Sequence, residues 1–301
     1  MIDWTPDPIA LSLGPLTVYW YGVMYAIGLA VSFLVIEREA RRRGLDTGLI
    51  VNGMIIVAVA ALIGGRAYHV IDQWERYKDN LASIVLPPYT GLGVYGGIIT
   101  GFMVAYLYIR WKRQPFLTWA DCVAPGLLVM QAIARWGNFF NQELYGPPTD
   151  LPWGIPIECA NRTPTWACPP LGTTSVDAHF QPLFLYESIS GAIGAIVLLQ
   201  VARRARWLRP GDITLLFFTW YGTTRFLLEP LRSNNWTIDG LATASIISAT
   251  FVLGALAILA WRHRPGARTT NAEAPAAPEP NVLSAAVPAD AAPPPDAVAP
   301  E

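Results

Sequence analysis

Charge is scarce in this sequence. Asp, Glu, Lys and Arg make up only 14% of its 301 residues, against roughly a quarter in soluble globular domains. With 53% hydrophobic residues and a mean hydropathy of +0.34, the chain is too apolar to be an ordinary water-soluble domain. Histidine is scarcer still: three in the chain are too few for a histidine-built metal site, so no metal and no cofactor is expected. The stretch ahead of the first apolar run has no Lys or Arg and carries Asp3 and Asp7 instead. A cleavable signal peptide would have a basic region there, so the first run is expected to stay in the mature protein. Hydropathy shows neither an inverted nor a parallel repeat, the mark of many transporters. No nucleic-acid partner is expected.

What the sequence does have is long apolar runs. Seven of them, near residues 17–36, 49–71, 91–110, 118–136, 183–202, 212–230 and 241–261, are each about 20 residues long, enough to cross hydrocarbon roughly 30 Å thick. They lack the alternation of barrel strands, and lipid offers no partner to an unpaired backbone group, so they are read as helices. The expected fold is all-α: a polytopic membrane bundle of about seven transmembrane helices. The formal net charge of -1 hides an asymmetry along the chain. Arg38, Arg41, Arg42 and Arg43 follow the first run, and Arg110, Lys112 and Arg113 the third. Arg203, Arg204, Arg206 and Arg209 follow the fifth, and Arg262, Arg264 and Arg268 the seventh. The other side has only Arg76, Lys78, Arg162 and Arg232. Because basic residues collect in cytoplasmic loops, the amino terminus is expected outside and the carboxyl terminus in the cytoplasm.

The transmembrane domain is expected to fill residues 1–264. Its long outer segment, 137–182, is rich in Pro and Trp and holds Cys159 and Cys168, which can pair in an oxidising space or remain thiols. Cys122, at the cytoplasmic start of the fourth run, reads as packing. Over 265–301 the composition collapses to Ala, Pro, Glu and Asp. Such a stretch buries too little to offset its ordering entropy and reads as a disordered cytoplasmic tail.

Polar and ionisable groups inside the runs are costly in lipid and need a partner or a function. Four clusters qualify. Tyr19, Trp20, Tyr21 and Tyr25 stand at the outer end of the first run. Tyr19 and Trp20 read as an interfacial aromatic belt, whereas Tyr21 and Tyr25, one turn apart, share a face. Gly64, Gly65, Arg66, Tyr68 and His69 form the second cluster, in which the glycines permit close helix approach and Arg66 reads equally well as structural or functional. The third is the densest: Arg135, Gly137, Asn138, Asn141, Glu143 and Gly146, where the fourth run reaches the outer face. Arg135 and Asn138 share a helix face. An arginine fork binds phosphate bidentately, and Asn and Glu hold hydroxyls; the bland alternative is a capped helix end with a structural ion pair. In the sixth run Tyr221, Arg225, Glu229 and Arg232 lie along one helical stripe, and Arg225 and Glu229 can simply neutralise each other. Tyr186 and Glu187 add polar groups from the fifth run at the same outer level.

The run Arg135-Trp-Gly-Asn-Phe-Phe-Asn-Gln-Glu143-Leu-Tyr-Gly146 resembles the signature of prolipoprotein diacylglyceryl transferases, Gly-Arg-x-Gly-Asn-Phe-x-Asn-x-Glu-x-x-Gly, with Ala134 in place of the leading Gly. Trp-Tyr21-Gly-x-Met-Tyr25, Gly-Gly-Arg66, Leu-Tyr186-Glu187 and Tyr221-Gly-x-x-Arg225-x-x-x-Glu229 are similar to that family in the same order, over about residues 10 to 261. The resemblance implies an enzyme of the bacterial cytoplasmic membrane. It would move diacylglycerol from phosphatidylglycerol to the lipobox cysteine in the signal peptide of a preprolipoprotein, amid membrane lipids, with its site toward the outer leaflet. The nucleophile then belongs to the substrate, and none of the three enzyme cysteines is required. Arg135 and Arg225 are the expected clamp for the departing glycerol phosphate. Asn138, Asn141, Glu143, Gly146, Tyr21, Tyr221 and Glu229 are expected around the lipid. The family commonly has His-Gly-Gly where this chain has Tyr95-Gly96-Gly97, and the departure leaves open which group takes the thiol proton. The other reading kept for the helices and their Arg-Glu pairs is a transporter or permease.

The tail yields a first test. Deleting residues 270–301 is expected to leave lipid transfer intact within roughly a factor of two, since its composition gives it no means of packing against the site. A truncated protein that inserts in the membrane yet fails to modify a lipobox peptide would contradict this.

Overall fold

A computed structural model of the chain describes residues 4–14, 16–84, 91–168, 178–232 and 237–265. It opens on a hairpin, β1 (Ile9–Leu13) paired antiparallel with β2 (Leu16–Tyr19). The helices α1 (Trp20–Arg42) and α2 (Leu49–Asp72) follow, then the single turn α3 (Trp74–Tyr77) and the helices α4 (Val94–Trp111) and α5 (Phe116–Phe140). Beyond α5 the two-residue strands β3 (Ile155–Pro156) and β4 (His179–Phe180) pair, and α6 (Leu183–Arg204) and α7 (Asp212–Leu228) come next. The hairpin β5 (Thr237–Ile238) and β6 (Leu241–Ala242) leads into α8 (Thr243–Arg262). All of these elements lie in one compact unit, Met1–Arg262.

The protein is a multi-pass, mainly helical membrane protein: α1, α2, α5, α6 and α8 are each long and apolar enough to cross a membrane. The helices α4 and α7, at 18 and 17 residues, are shorter. Every apolar run read from the sequence has a helix over most of its length. The largest departure is at the first, where residues 17–19 belong to β2, α1 begins at Trp20, and the helix continues six residues past the expected end to Arg42. Similarly, α5 continues to Phe140, so the long outer segment starts four residues later than expected. Residues 266–301, and with them the expected disordered tail, lie outside the described residues.

Lipid tails are as apolar as leucine, so helices in a bilayer are drawn together by close packing and by polar links more than by the hydrophobic effect. Both are visible. The α2 and α4 backbones nearly touch at Gly64 and Gly96, where a Cβ on Gly96 would sit 2.3 Å from the Gly64 carbonyl oxygen. The Thr100 hydroxyl, 3.1 Å from the Ala60 carbonyl oxygen, ties the same pair. Along the α1–α5 seam a Cβ on Gly126 would lie 2.7 Å from Ile36, and Ser32 donates to the Gly126 carbonyl at 2.9 Å. Ser188 of α6 donates to the Ala132 carbonyl of α5 at 2.6 Å. Cys122 is buried against Ile36 and Trp119, as its packing role required.

At the end of the bundle that carries most of the arginines, three buried carboxylates act as fasteners. Glu39 pairs with Arg42 at 2.8 Å and with Arg203, 164 residues away, at 3.1 Å. Asp212 pairs with Arg262 at 3.1 Å and accepts the Arg209 backbone N–H at 2.7 Å. Asp121 accepts from the backbone N–H groups of Gly211 and Thr214, from the Thr214 hydroxyl, and from Arg43. Removing this carboxylate strands several buried donors at once. Asp121→Ala is therefore expected to destabilise the detergent-solubilised protein by about 3 kcal/mol. The change would be read as a lowered thermal midpoint, and an unchanged midpoint would show that the fastening is dispensable.

Candidate functional site

Three chain segments end at one level on the opposite end of the bundle: α5 finishes, α6 starts, and α7 gives way to a 3-10 turn over Glu229–Leu231. Each delivers charge there. Arg135 of α5 sets its Nε 2.7 Å from Glu187 Oε2 on α6. The other oxygen of Glu187 is bound by Arg232, which follows the 3-10 turn. Arg232 also faces Glu229 at 3.9 Å, and Glu229 pairs with Arg225 of α7 at 3.1 Å. The result is an alternating array, Arg135–Glu187–Arg232–Glu229–Arg225. Both carboxylate side chains are at most 4% exposed, whereas the three arginines keep 22–25%. The anions are buried, whereas the cations stay partly exposed.

The segment after α5 folds back over this array. Gln142 and Leu144 both adopt left-handed backbone conformations, with φ of 53° and 58°. For residues other than glycine such a conformation costs on the order of 1–3 kcal/mol and persists only when its surroundings enforce it. Here they do: Leu144 accepts the Phe184 N–H at 2.9 Å, and the Gln142 side chain accepts the Glu158 N–H at 2.8 Å. The turn brings Glu143 back over the helix end, where Oε1 accepts from the Asn138 amide at 2.8 Å and the Asn141 amide at 3.4 Å. Asn138 in turn accepts from Arg135 at 3.3 Å. Glu143 is thus linked to Arg135 only through the Asn138 amide, and among the described residues no guanidinium pairs with it, so it stands outside the ion-paired array.

Around this centre lie the remaining candidates. Tyr21 rests on Gly137, where a Cβ would come within 3.1 Å of the ring, and its hydroxyl lies 3.1 Å from that of Tyr25. The Tyr21 and Tyr25 rings stack 4.7 Å apart, and Trp20 stacks on Phe140. Tyr221 precedes Arg225 by one turn, its ring parallel to Phe217. Gly146 works through closeness: its N–H donates to the Gln181 carbonyl, and a Cβ would lie 3.1 Å from the Leu231 carbonyl oxygen. Tyr95, at the first turn of α4, packs beside Tyr68 with its ring largely exposed. Among the described residues no hydrogen bond or ion pair joins it to the arginine array.

A cleft of about 570 Å³ opens next to Glu143, walled by Pro6, Asp7, Phe140, Asn141 and Glu158 among others. Beyond it, Cys159 and Cys168 form a disulfide, the alternative the sequence left open. Arg66 is occupied elsewhere: it donates to the carbonyls of Ser83 and Ile84 and to the Tyr77 hydroxyl, and stacks over the Tyr77 ring at 5.1 Å. Those bonds hold the loop after α3, a structural duty. No group of three or more His, Cys, Asp or Glu suited to a metal occurs among the described residues.

The structure therefore brings Arg135, Asn138, Asn141 and Glu143 into direct contact and connects them to Arg225 and Glu229. It does so through Glu187 and Arg232, two residues that the sequence places nearby without assigning them to the site. Helical spacing put Arg232 on a stripe with Arg225, but α7 stops at Leu228, and it is the 3-10 turn that carries Arg232 across to Glu187. Glu187 could have been found from the α6 start, where a charged residue sits in an apolar helix opposite Arg135.

The family model for prolipoprotein diacylglyceryl transferase matches residues 8–261. Among curated proteins, the phosphatidylglycerol–prolipoprotein diacylglyceryl transferase of Streptococcus suis is 33% identical over 258 residues, 86% of this chain and 93% of that protein. The protein of the same name from Halalkalibacterium halodurans is 35% identical over 266 residues, covering 87% and 89%. The one from Listeria monocytogenes is 34% identical over 258 residues, covering 85% and 90%.

Proposed function

Because the chain belongs to the prolipoprotein diacylglyceryl transferase family, it is a transferase that takes its diacylglyceryl group from phosphatidylglycerol, and we propose that the arginine array holds that lipid's phosphate. The acceptor in this reading is the lipobox cysteine of a preprolipoprotein. The enzyme sits in the bacterial cytoplasmic membrane with seven spans, its amino terminus outside, and the array at the level of the outer leaflet. The positive-inside pattern supports that orientation, since the opposite end carries Arg41, Arg42, Arg203, Arg204 and Arg262. The family relationship speaks for an enzyme and leaves the transporter alternative without support.

The observation that carries the site assignment is that Arg135 and Arg225 come from different helices yet belong to one array in which both stay partly exposed. In the reaction the cysteine thiol loses its proton, and the thiolate attacks the glyceryl carbon bearing the phosphate. The new S–C bond forms as the C–O bond breaks, and the electron pair leaves on the phosphate oxygen of glycerol phosphate. A phosphodiester with one negative charge thus becomes a monoester with more. Fixed guanidiniums in a low-dielectric site stabilise that developing charge without having to reorganise. In this reading Asn138, Asn141 and Glu143 bind the hydroxyls of the lipid's head, Tyr21 its phosphate or carbonyl region, and Gly146, Tyr221 and Glu229 complete the surroundings.

Replacing Arg135 or Arg225 by Ala is expected to abolish release of glycerol phosphate from phosphatidylglycerol in the presence of a lipobox peptide, with the protein still folded and inserted. Arg135→Lys is expected to restore only part, because an ammonium lacks the two-pronged donor. Full activity in Arg135→Ala would remove the array from the reaction.

Tyr95 stands where the family commonly has histidine. Serving as a base would require conversion to phenolate of a phenol, a far weaker proton acceptor than imidazole near neutral pH. A hydrogen-bond donor needs no such change, and histidine and tyrosine are interchangeable in that role. Tyr95→Phe is expected to lower transfer by about 10- to 1000-fold, the range for one lost electrostatic contact, and Tyr95→His to keep substantial activity. Unchanged transfer in Tyr95→Phe would reduce this ring to packing against Tyr68.

A further inference from the structure

The array has an arrangement that a simple two-arginine clamp does not need. A third guanidinium, Arg232, sits in the middle, and each of the two carboxylates lies between a pair of arginines. We propose that Glu187 and Arg232 are positioning residues for the transfer reaction: together they set the spacing of Arg135 and Arg225 and leave the array with a single excess positive charge. The inference rests on the reading of Arg135 and Arg225 as the phosphate clamp.

The spacing argument starts from where the arginines originate. Arg135 and Arg225 project from α5 and α7, and no contact between them is seen among the described residues; each reaches the other only through the chain of intervening groups. Glu187 binds Arg135 with one carboxylate oxygen and Arg232 with the other. That two-sided grip fixes two guanidiniums relative to one rigid plane. Arg232 repeats the arrangement in the opposite sign, lying between Glu187 and Glu229. Its backbone is fixed as well, since the Arg232 N–H donates to the Glu229 carbonyl at 3.0 Å and closes the 3-10 turn. A point charge such as lysine cannot span two carboxylates in this fashion.

The charge argument follows from the count. Three guanidiniums and two carboxylates leave one positive charge over the array. A phosphodiester carries one negative charge, so the ground state is balanced, and the charge that develops on the leaving phosphate is what the partly exposed arginines then stabilise. Without Glu187 the excess would rise to two. Phosphate would then be held more tightly, but between arginines no longer set at a fixed distance. Removing the carboxylate is thus expected to improve anion binding and harm turnover, a combination that mere loss of stability does not produce.

The test uses the full-length protein in detergent or liposomes, with phosphatidylglycerol and a lipobox peptide as substrates and glycerol phosphate as product inhibitor. Glu187→Gln keeps shape and one acceptor but removes the charge. It is expected to lower kcat by about 10- to 100-fold while the inhibition constant for glycerol phosphate falls by about threefold or more. Arg232→Lys is expected to lower kcat by a similar factor with KM for phosphatidylglycerol altered less than about threefold. Because both residues act through the same array, the double variant is expected to be little worse than either single one. If Glu187→Gln does not fold, the Arg232→Lys split between kcat and KM decides. Wild-type kcat in Arg232→Lys overturns the inference, as does a Glu187→Gln protein whose loss of kcat comes with weaker glycerol phosphate inhibition. These results separate from failure of the underlying reading. Active Arg135→Ala and Arg225→Ala proteins refute the clamp itself, whereas inactive ones beside a fully active Arg232→Lys refute only the positioning role.

Discussion

A charged side chain in hydrocarbon must find an opposite charge or reach water, and this constraint organises the molecule. Apolar faces discriminate little between one helix partner and another when the solvent is itself apolar. Ion pairs do discriminate, because leaving one partner buried alone is far costlier than the pair is favourable. The pairs here join segments distant in the chain: Glu39 with Arg203, Asp121 with Arg43, and Glu187 with Arg135 and Arg232. Glycine seams such as Gly64 against Gly96 set how closely the helices approach. The ion pairs help set which helices meet and at what height.

The two ends use the same chemistry for different purposes. At the arginine-rich end Asp121 and Asp212 each accept backbone N–H groups and pair with an arginine, so both carboxylates are held by the protein's own scaffold. Among the described residues Glu187 is held by guanidiniums alone. One end is a closed fastening. At the other, the guanidiniums stay partly exposed, and Glu143 lines a cleft. The left-handed backbone at Gln142 and Leu144 belongs to that end too, where strain is tolerated in exchange for a turn no regular helix end would supply.

Much of this could be read from the sequence because it depends on long, local patterns. Apolar runs of helical length anticipated the long helices among the described residues, and the dense motif from Arg135 to Gly146 anticipated the contacts of Arg135, Asn138, Asn141 and Glu143. What escaped were features fixed by distant contacts or by short breaks in a pattern. The hairpin before α1 was hidden because Thr17, Val18 and Tyr19 are apolar enough to extend the first run, although Gly14 between two short β-rich segments is a turn signal. Arg232 was assigned to a helix face, yet its position comes from the turn after Leu228. The role of Glu187 depends on a partner 45 residues away, Arg232, which no spacing rule connects to it. Arg66 was undecidable from sequence because its partners, the carbonyls of Ser83 and Ile84, belong to a loop without a motif.

Why the charges take this order at the site follows from topology. Successive long helices run in opposite directions, so at any one level carboxyl-terminal ends alternate with amino-terminal ends. A helix carries partial negative charge at its carboxyl end and partial positive charge at its amino end. Cations therefore suit the ends of α5 and α7, and an anion suits the start of α6 between them. Arg135 lies near the end of α5, Arg225 in the last turn of α7, and Glu187 near the start of α6. At the opposite level Asp121 and Asp212 near the starts of α5 and α7, Arg203 and Arg204 at the end of α6, and Arg262 at the end of α8 follow the same rule with the helices exchanged, whereas Glu39, near the end of α1, departs from it and is held by Arg42 and Arg203. Each such placement contributes at most about 1 kcal/mol, and less for Arg135, Glu187 and Asp121, which stand outside the terminal turns. The alternation nevertheless favours arginine, glutamate, arginine across three adjacent helices at the site. An array with more cations than anions then needs only the return of Arg232 through the 3-10 turn, a step set by local chain geometry more than by helix topology.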